Sequence, residues 1–244
     1  MSAAEDFLIA ALKTLPPKPS DDEKQSEKKR YSELLSEKVA LAFAEELRRR
    51  GLVGTRPSPP GESGVSGAER RMAGGIGAKK VDITWATEES GLLLGISIKS
   101  INFRDKRTQN YQKNLTNRRG DMLVEAVTLH RRFPYAVLAG FFFFDHGAAE
   151  DDSASRRSTF VNAHNRFRLF TGRDVVEGRE EQYERFYFVL MDANPFSPSF
   201  QLFLAGNPKK PVALSKAFDD LIEIIAQRNP DFYEVVDGEL RTVR

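Results

Sequence analysis

The sequence predicts an α/β protein in which helices flank a central mixed β-sheet. Segments with strand-like apolar patterns alternate along the chain with segments of helical periodicity. Residues 134–145 are almost continuously apolar, as expected for a strand covered on both faces. Strands separated by helices are typical of a sheet sandwiched between two helical layers.

The first 25 residues are expected to be a flexible N-terminal extension, and residues 26–244 to form one α/β domain. In the extension, a short helix near residues 4–14 precedes a proline-rich and acidic tether at 16–23. The domain begins with a helix at 26–50, because its apolar side chains fall on one stripe. These are Leu35, Val39, Ala42, Phe43 and Leu47. Gly51 follows as a helix C-cap.

A β-hairpin is predicted next. Residues 80–86 alternate between apolar and polar side chains, residues 87–91 have turn composition, and residues 92–101 return as a second strand. A turn centred between Glu89 and Ser90 places Asp82 opposite Ser97. The remaining elements follow in order: helices at 120–132, 159–170 and 212–228, strands at 134–145 and 185–192, and a polar loop at 146–158.

The composition excludes several classes of function. The chain has no cysteine, which excludes disulfides, thiolate zinc sites, iron–sulfur clusters and cysteine nucleophiles. Its three histidines have no metal-binding spacing. The longest apolar run, Phe133–Phe144, is shorter than the roughly 20 residues of a membrane-spanning helix. The first ten residues do not resemble a secretory signal. We therefore expect a cytoplasmic protein with no membrane contact.

The net charge of +2 hides a strongly basic segment at residues 104–119. The segment holds one acidic residue and six cations, which can neutralise phosphates. Its amide side chains can hydrogen-bond to base edges. We therefore predict that this segment binds DNA, although such a segment is also consistent with a solvated loop. The expected DNA-binding residues are Arg104, Lys106, Arg107, Asn110, Gln112, Lys113, Arg118 and Arg119.

The hairpin carries the residues most suggestive of catalysis. Asp82, Ser97 and Lys99 are expected on one face of the two strands. A carboxylate such as Asp82, together with the backbone carbonyl of Ile98, can bind Mg²⁺ through oxygen atoms. Bound Mg²⁺ activates water for phosphodiester hydrolysis. Lys99 can orient or deprotonate that water.

In these residues the chain resembles the PD-(D/E)XK nuclease superfamily, which includes most restriction endonucleases. Asp82 matches the family's first acid and Lys99 its lysine, whereas Val81 replaces the usual proline and Ser97 the second acid. In family members with serine at this position, the following helix can supply the missing carboxylate. Here that helix offers Asp121 and Glu125, of which Glu125 is preferred because an acid at a helix start is already explained by the helix dipole.

The resemblance further implies a restriction-endonuclease-like fold over residues 30–145. The first helix of family members often contributes a glutamate. Glu37 and Glu33 are the candidates here, Glu37 is preferred because it borders the apolar stripe, and Glu69 is a weaker third candidate. The implied activity is Mg²⁺-dependent endonucleolytic cleavage of double-stranded DNA, with Mn²⁺ able to substitute. A type II restriction-like role and a homodimer that cuts both strands follow from the same resemblance.

Two alternatives stay open on sequence alone. Because Ser97 replaces an acid, the chain could be a nuclease-fold protein that binds nucleic acid without cutting it. It could also be an interaction protein whose basic segment meets an acidic partner other than nucleic acid.

Overall fold

The computed structural model describes residues 2–59, 61, 70–73 and 78–243, the side chains of 70–73, 78 and 79 excepted. The helices are α1 (Ala3–Lys13), α2 (Gln25–Arg49), α3 (Leu115–Arg132), α4 (Thr159–Phe167) and α5 (Leu214–Arg228). The strands are β1 (Arg70–Ala73), β2 (Ala78–Val81), β3 (Ile83–Thr87), β4 (Gly91–Ile101), β5 (Val137–Asp145), β6 (Arg185–Asp192), β7 (Ser199–Leu204), β8 (Pro211–Val212), β9 (Tyr233–Val236) and β10 (Glu239–Thr242). Short 3-10 helices occupy Gln112–Asn114, His146–Ala149 and Arg168–Phe170.

A six-stranded mixed sheet forms the centre of the fold, with strand order β3-β4-β5-β6-β7-β8. The three middle strands β4, β5 and β6 are parallel, and the outer pairs are antiparallel. The crossovers between the parallel strands contain α3 and α4. Two separate two-stranded ribbons, β1-β2 and β9-β10, complete the structure. The α/β class with a mixed central sheet is therefore confirmed.

Each face of the sheet is covered by its own group of helices. Phe141 and Phe143 of β5 pack on the face covered by α1, α2 and α5. The alternate residues Phe142 and Phe144 pack on the face covered by α3 and α4. The phenylalanine run of β5 is therefore buried on both faces, as its composition predicted. Among the described residues, no helix combines the length and the apolarity that crossing a bilayer requires.

The N-terminal residues differ from the flexible extension that the sequence predicted. The expected short helix is present as α1, and its Ser2 and Glu5 form a capping box. However, Leu8 and Leu12 are fully buried in the core shared with α2 and α5. The physical reason is that Ala4, Leu8 and Leu12 form an apolar stripe at helical spacing, so α1 docks onto the domain.

The other sequence predictions are met with shifted boundaries. The helix expected at 120–132 begins earlier, at Leu115, so Arg118 and Arg119 lie on a helix and not in a loop. The alternating segment at 80–86 is interrupted at Asp82, where β2 ends and β3 begins. Gly51 caps α2 as predicted, with a φ of 93°. Strand β1 and the four strands from β7 to β10 were not predicted.

Candidate active site

Asp82 lies at the bend between β2 and β3, next to the middle of β4. The pairing of Ile83 with Ile96 places Asp82 opposite Ser97, as the predicted position of the hairpin turn implied. The backbone N–H of Ile98 donates a hydrogen bond to Oδ2 of Asp82 at 2.6 Å. Because the N–H and the carbonyl of one strand residue point to the same side, the carbonyl of Ile98 also faces Asp82.

Lys99 lies between two carboxylates that come from different elements. Its Nζ is 3.5 Å from Oδ2 of Asp82 and 3.9 Å from Oε2 of Glu125 on α3. The three side chains are largely buried, with exposed fractions of 17%, 14% and 7% for Lys99, Asp82 and Glu125. Ionised groups this close in a partly desolvated position interact more strongly than they would on the surface. The structure thus brings together the three residues on which the nuclease prediction depends.

The structure separates the candidate helix and loop acids, of which Glu33 is exposed on α2 and lines the cleft. Glu125 is buried and reaches Lys99, whereas Asp121, one turn earlier on α3, is 61% exposed and lies near Arg118. Glu37 is exposed on α2, where it lines the same cleft as Asp82 and Lys99. Glu69 lies outside the described residues.

The donor atoms at this position are suited to a hard divalent cation. The described residues contain no cluster of three or more His, Cys, Asp or Glu side chains that could hold a metal. Mg²⁺, however, is usually bound by one or two carboxylates together with water and substrate phosphates. Asp82, Glu125 and the carbonyl of Ile98 supply two carboxylates and one neutral oxygen. These residues therefore fit a Mg²⁺ site of that kind.

Ser97 and Tyr183 form a buried layer behind Lys99. Ser97 is 2% exposed, and its side chain lies beside the hydroxyl group of Tyr183. The Tyr183 hydroxyl donates to the backbone carbonyl of Met122 at 3.0 Å. Burial raises the pKa of Tyr183 well above its usual range, and the nearby charges of Glu125 and Asp82 raise it further. The sequence analysis did not identify Tyr183, because it is far from Ser97 and Lys99 along the chain and no spacing pattern connects it to them.

A cleft of about 1290 Å³ opens over Asp82, Ile98 and Lys99, and Glu125 is not among the residues that line it. One wall is α2, the floor is the C-terminal end of β4, and the opposite wall runs from Phe103 to the start of α3. Eight described cations line the cleft: Lys28, Lys29, Lys80, Lys99, Arg104, Lys106, Lys113 and Arg118. Four described carboxylates line it: Glu33, Glu37, Asp82 and Asp105. The excess of positive charge favours an anionic ligand.

The basic segment at 104–119 is an ordered wall of this cleft. Asp105 accepts hydrogen bonds from the backbone of Arg107 and Thr108 and pairs with Lys113 at 2.6 Å. The hydrogen bond from Lys113 is the largest of the effects that hold the pKa of Asp105 well below its usual range. The turn is therefore built around a carboxylate, which the charge count alone did not reveal.

The predicted DNA-binding side chains differ in how freely they face solvent. Lys106, Arg107, Lys113 and Arg119 are exposed. Arg104 and Arg118 are half-buried, Arg104 against the ring of Tyr111.

The two amide residues of this segment lie in the same turn. The side chain of Asn110 donates to the carbonyl of Thr108 and accepts from the backbone N–H of Gln112, so it shapes the turn. Gln112 is half-buried in the 3-10 helix that precedes α3.

Comparison of the chain with protein-family models, with curated proteins and with solved structures finds no match. The resemblance to the PD-(D/E)XK superfamily therefore stays a prediction that rests on the residues and their arrangement.

Proposed function

We propose that the protein is a Mg²⁺-dependent DNA endonuclease with a restriction-endonuclease-like fold and a type II restriction-like role. The observation that carries this proposal is the convergence of Asp82, Lys99 and Glu125, of which Asp82 and Lys99 line a cleft rich in cations. Two carboxylates can hold a metal ion, and a lysine beside them can orient the water that the metal activates for phosphodiester hydrolysis. The resemblance of the hairpin to the nuclease family supports the same assignment.

In this proposal Asp82, Glu125 and the Ile98 carbonyl would hold the cation. When bound, Mg²⁺ would lower the pKa of its water and offset the negative charge that develops on the phosphate. Mn²⁺ would substitute, because it also prefers carboxylate, carbonyl and water ligands.

The chain's own groups would position the reactants. The N–H of Ile98 fixes one carboxylate oxygen of Asp82, which keeps the orientation of this side chain constant. Lys99 would donate hydrogen bonds to the attacking water and to the scissile phosphate from its place beside both carboxylates. Ser97 marks the position of the replaced acid and would not bind the cation. Glu37 would approach the substrate from the α2 wall.

The basic segment would hold the DNA backbone beside this site. Its exposed cations Lys106, Arg107, Lys113 and Arg119 would contact phosphates, and Arg104 and Arg118 would extend the contact into the cleft. Asn110 and Gln112 would meet the edges of the bases. Since one chain supplies one site, cutting both strands at a symmetric sequence would use a homodimer.

The proposal is tested by incubating the protein with mixed genomic DNA and Mg²⁺ or Mn²⁺ and sequencing the ends that form. We expect cleavage that EDTA abolishes and that Asp82→Asn and Lys99→Ala each reduce by about 100-fold or more. Lys216→Ala, which replaces an exposed lysine of α5, is the matched control and should cut like the unaltered chain. Glu37→Gln is assayed separately, to measure whether the Glu37 carboxylate contributes to cleavage. Unchanged cleavage by both Asp82→Asn and Lys99→Ala would refute the proposal.

A nucleic-acid-binding protein without nuclease activity is the second candidate, and the serine at position 97 favours it. This candidate predicts DNA binding that weakens steeply with salt, together with no heat of Mg²⁺ or Mn²⁺ binding in calorimetry. The nuclease proposal predicts measurable metal binding. The same calorimetric titration therefore separates the two. An acidic partner other than nucleic acid would be indicated if DNA binding itself were absent.

A further inference from the structure

The segment between α1 and α2 is fixed against the wall of the cleft. Nζ of Lys18 forms an ion pair with Asp145 at 2.6 Å and lies 5.4 Å from the centre of the Phe103 ring. Nζ of Lys28, at the start of α2, lies 5.7 Å from the same ring and donates a hydrogen bond to the backbone carbonyl of Asp21 at 2.9 Å. Lys28 is only 9% exposed. The segment is therefore anchored at two points, and the residues between them have a defined position.

An acidic turn lies between these two anchors. It consists of Asp21, Asp22 and Glu23, and the N–H of Glu23 donates to the carbonyl of Ser20 at 3.1 Å across the turn. Asp22 and Glu23 are exposed, and 89% of the Asp22 side chain is accessible. The turn therefore presents consecutive carboxylates to solvent from a fixed backbone.

The acidic turn contacts the first residues of the basic segment. Oδ1 of Asp21 accepts the backbone N–H of Arg104 at 3.0 Å. Nζ of Lys106 donates to the backbone carbonyl of Asp22 at 3.0 Å and lies 3.8 Å from Oδ1 of the same residue. The chain itself thus partly neutralises Lys106, a cation that the proposed function assigns to a DNA phosphate.

We propose that the acidic turn makes an autoinhibitory contact, in which it competes with nucleic-acid phosphates for Lys106 and weakens binding to any duplex. The proposal rests on the function proposed above. A phosphate that approaches Lys106 has to displace the Asp22 carboxylate and is repelled by Glu23. Non-specific binding comes almost entirely from phosphate contacts, so the turn opposes this kind of binding most. Contacts to base edges carry the sequence preference and are not opposed in the same way.

The double variant Asp22→Asn, Glu23→Gln tests this contact, because it removes two negative charges and keeps the shape of both side chains. The matched control is Glu88→Gln, Glu89→Gln, which removes two charges from exposed side chains between β3 and β4. That turn precedes β4 and the basic segment follows it, so the length of the strand, roughly 30 Å, separates them.

Affinity for a duplex of about 30 base pairs and arbitrary sequence is measured by fluorescence anisotropy at about 50 mM and about 300 mM salt. EDTA is present to prevent cleavage, so the measurement does not depend on nuclease activity. The two substitutions are also made in Lys106→Ala, which removes the cation for which the turn competes. Thermal unfolding checks that each variant is folded.

We expect Asp22→Asn, Glu23→Gln to bind the duplex about three- to fivefold more tightly than the unaltered chain at the lower salt concentration. At the higher concentration the gain should fall to within about twofold, because salt screens exposed charges. The control should stay within about twofold at both concentrations. In the Lys106→Ala background, the same two substitutions should change the affinity by less than about twofold, since there is no longer a cation to release.

The outcomes separate this proposal from the proposed function. If the unaltered chain binds the duplex and the acidic-turn variant binds it no more tightly than the control does, the autoinhibitory contact is wrong and the proposed function is unaffected. A gain of equal size with and without Lys106 would also overturn the contact. If the double variant does not fold, Asp22→Asn alone decides the question.

Two further results bear on the proposed function. If the variant gains affinity as expected but the unaltered chain cuts no nucleic acid, the autoinhibitory contact stands and the nuclease proposal fails. Absence of duplex binding by the unaltered chain and by the variant would overturn both.

Discussion

His164 gives the folded protein a pH dependence that follows from its surroundings. The side chain lies on α4 in the core and is 1% exposed. Its ring centroid is 4.6 Å from that of Phe160 and 4.6 Å from that of Phe188. Neither ring nitrogen has a hydrogen-bond partner among the described residues. Burial in these apolar surroundings lowers the pKa of His164 from 6.5 to about 4.

The direction of the effect follows from where the proton binds. Between pH 6.5 and pH 4, the unfolded chain binds a proton at this imidazole that the folded chain does not bind. The contribution of neutral His164 to stability is therefore fully present above pH 6.5 and is lost as the pH falls toward 4. This difference in pKa corresponds to about 3 kcal/mol in the acid limit and to about 2 kcal/mol at pH 5.

Urea unfolding at pH 7.5 and pH 5 measures this contribution directly. On lowering the pH, we expect the unaltered chain to lose about 2 kcal/mol more free energy of unfolding than His164→Leu, whose side chain does not titrate. His146→Gln is measured alongside as a control for replacing a histidine at the surface, since His146 is 57% exposed. Equal losses in the unaltered chain and in His164→Leu would refute the reasoning, because the pH dependence would then come from other groups.

Three further predictions concern the N-terminal helix, a buried charge and the basic segment. Leu8→Ala should lower the free energy of unfolding by about 2–5 kcal/mol, because Leu8 is fully buried. Unchanged stability in urea would mean that α1 does not contribute to the core. Glu184→Gln should lower it by about 3–5 kcal/mol, because the carboxylate is buried between two arginine side chains. A loss of less than about 1 kcal/mol would contradict the conclusion that the Glu184 carboxylate is needed to pair the two buried arginine side chains. Lys106→Ala should reduce the slope of log DNA affinity against log salt by roughly one, and an unchanged slope would remove Lys106 from the DNA contact.

The sequence predicted correctly the elements that have a simple apolar pattern, either a single helical stripe or a continuous apolar run. The stripe on α2 and the continuous apolar run of β5 are both buried as expected. The N-terminal helix shows the limit of this reasoning. Its periodicity was visible in the sequence, but the surface that Leu8 and Leu12 pack against is formed by α2 and α5. The prolines that follow the helix suggested a tether, whereas tertiary packing determines that α1 is docked.

The candidate site was predictable where chain geometry relates its members. The turn of the hairpin sets Asp82 opposite Ser97, and the alternation of β4 sets Lys99 on the same face. The preference for Glu125 over Asp121 placed Asp121 at the start of the helix, which is wrong because α3 begins at Leu115. Glu125 is nevertheless the acid that reaches Lys99. Tyr183 could not be predicted in this way, because its position is determined by the tertiary packing of the segment before β6 against α3.

The most direct test of the proposed site compares two substitutions on the same helix. The initial rate of Mg²⁺-dependent cleavage of DNA is measured for Glu125→Gln, for Asp121→Asn and for the unaltered chain. Both substitutions remove one negative charge from α3, but only Glu125 is buried beside Lys99, whereas Asp121 is 61% exposed. We predict a loss of about 100-fold or more for Glu125→Gln and a rate within about twofold for Asp121→Asn. Equal rates for the two variants would contradict the proposal that Asp82, Lys99 and Glu125 form a metal-dependent nuclease site.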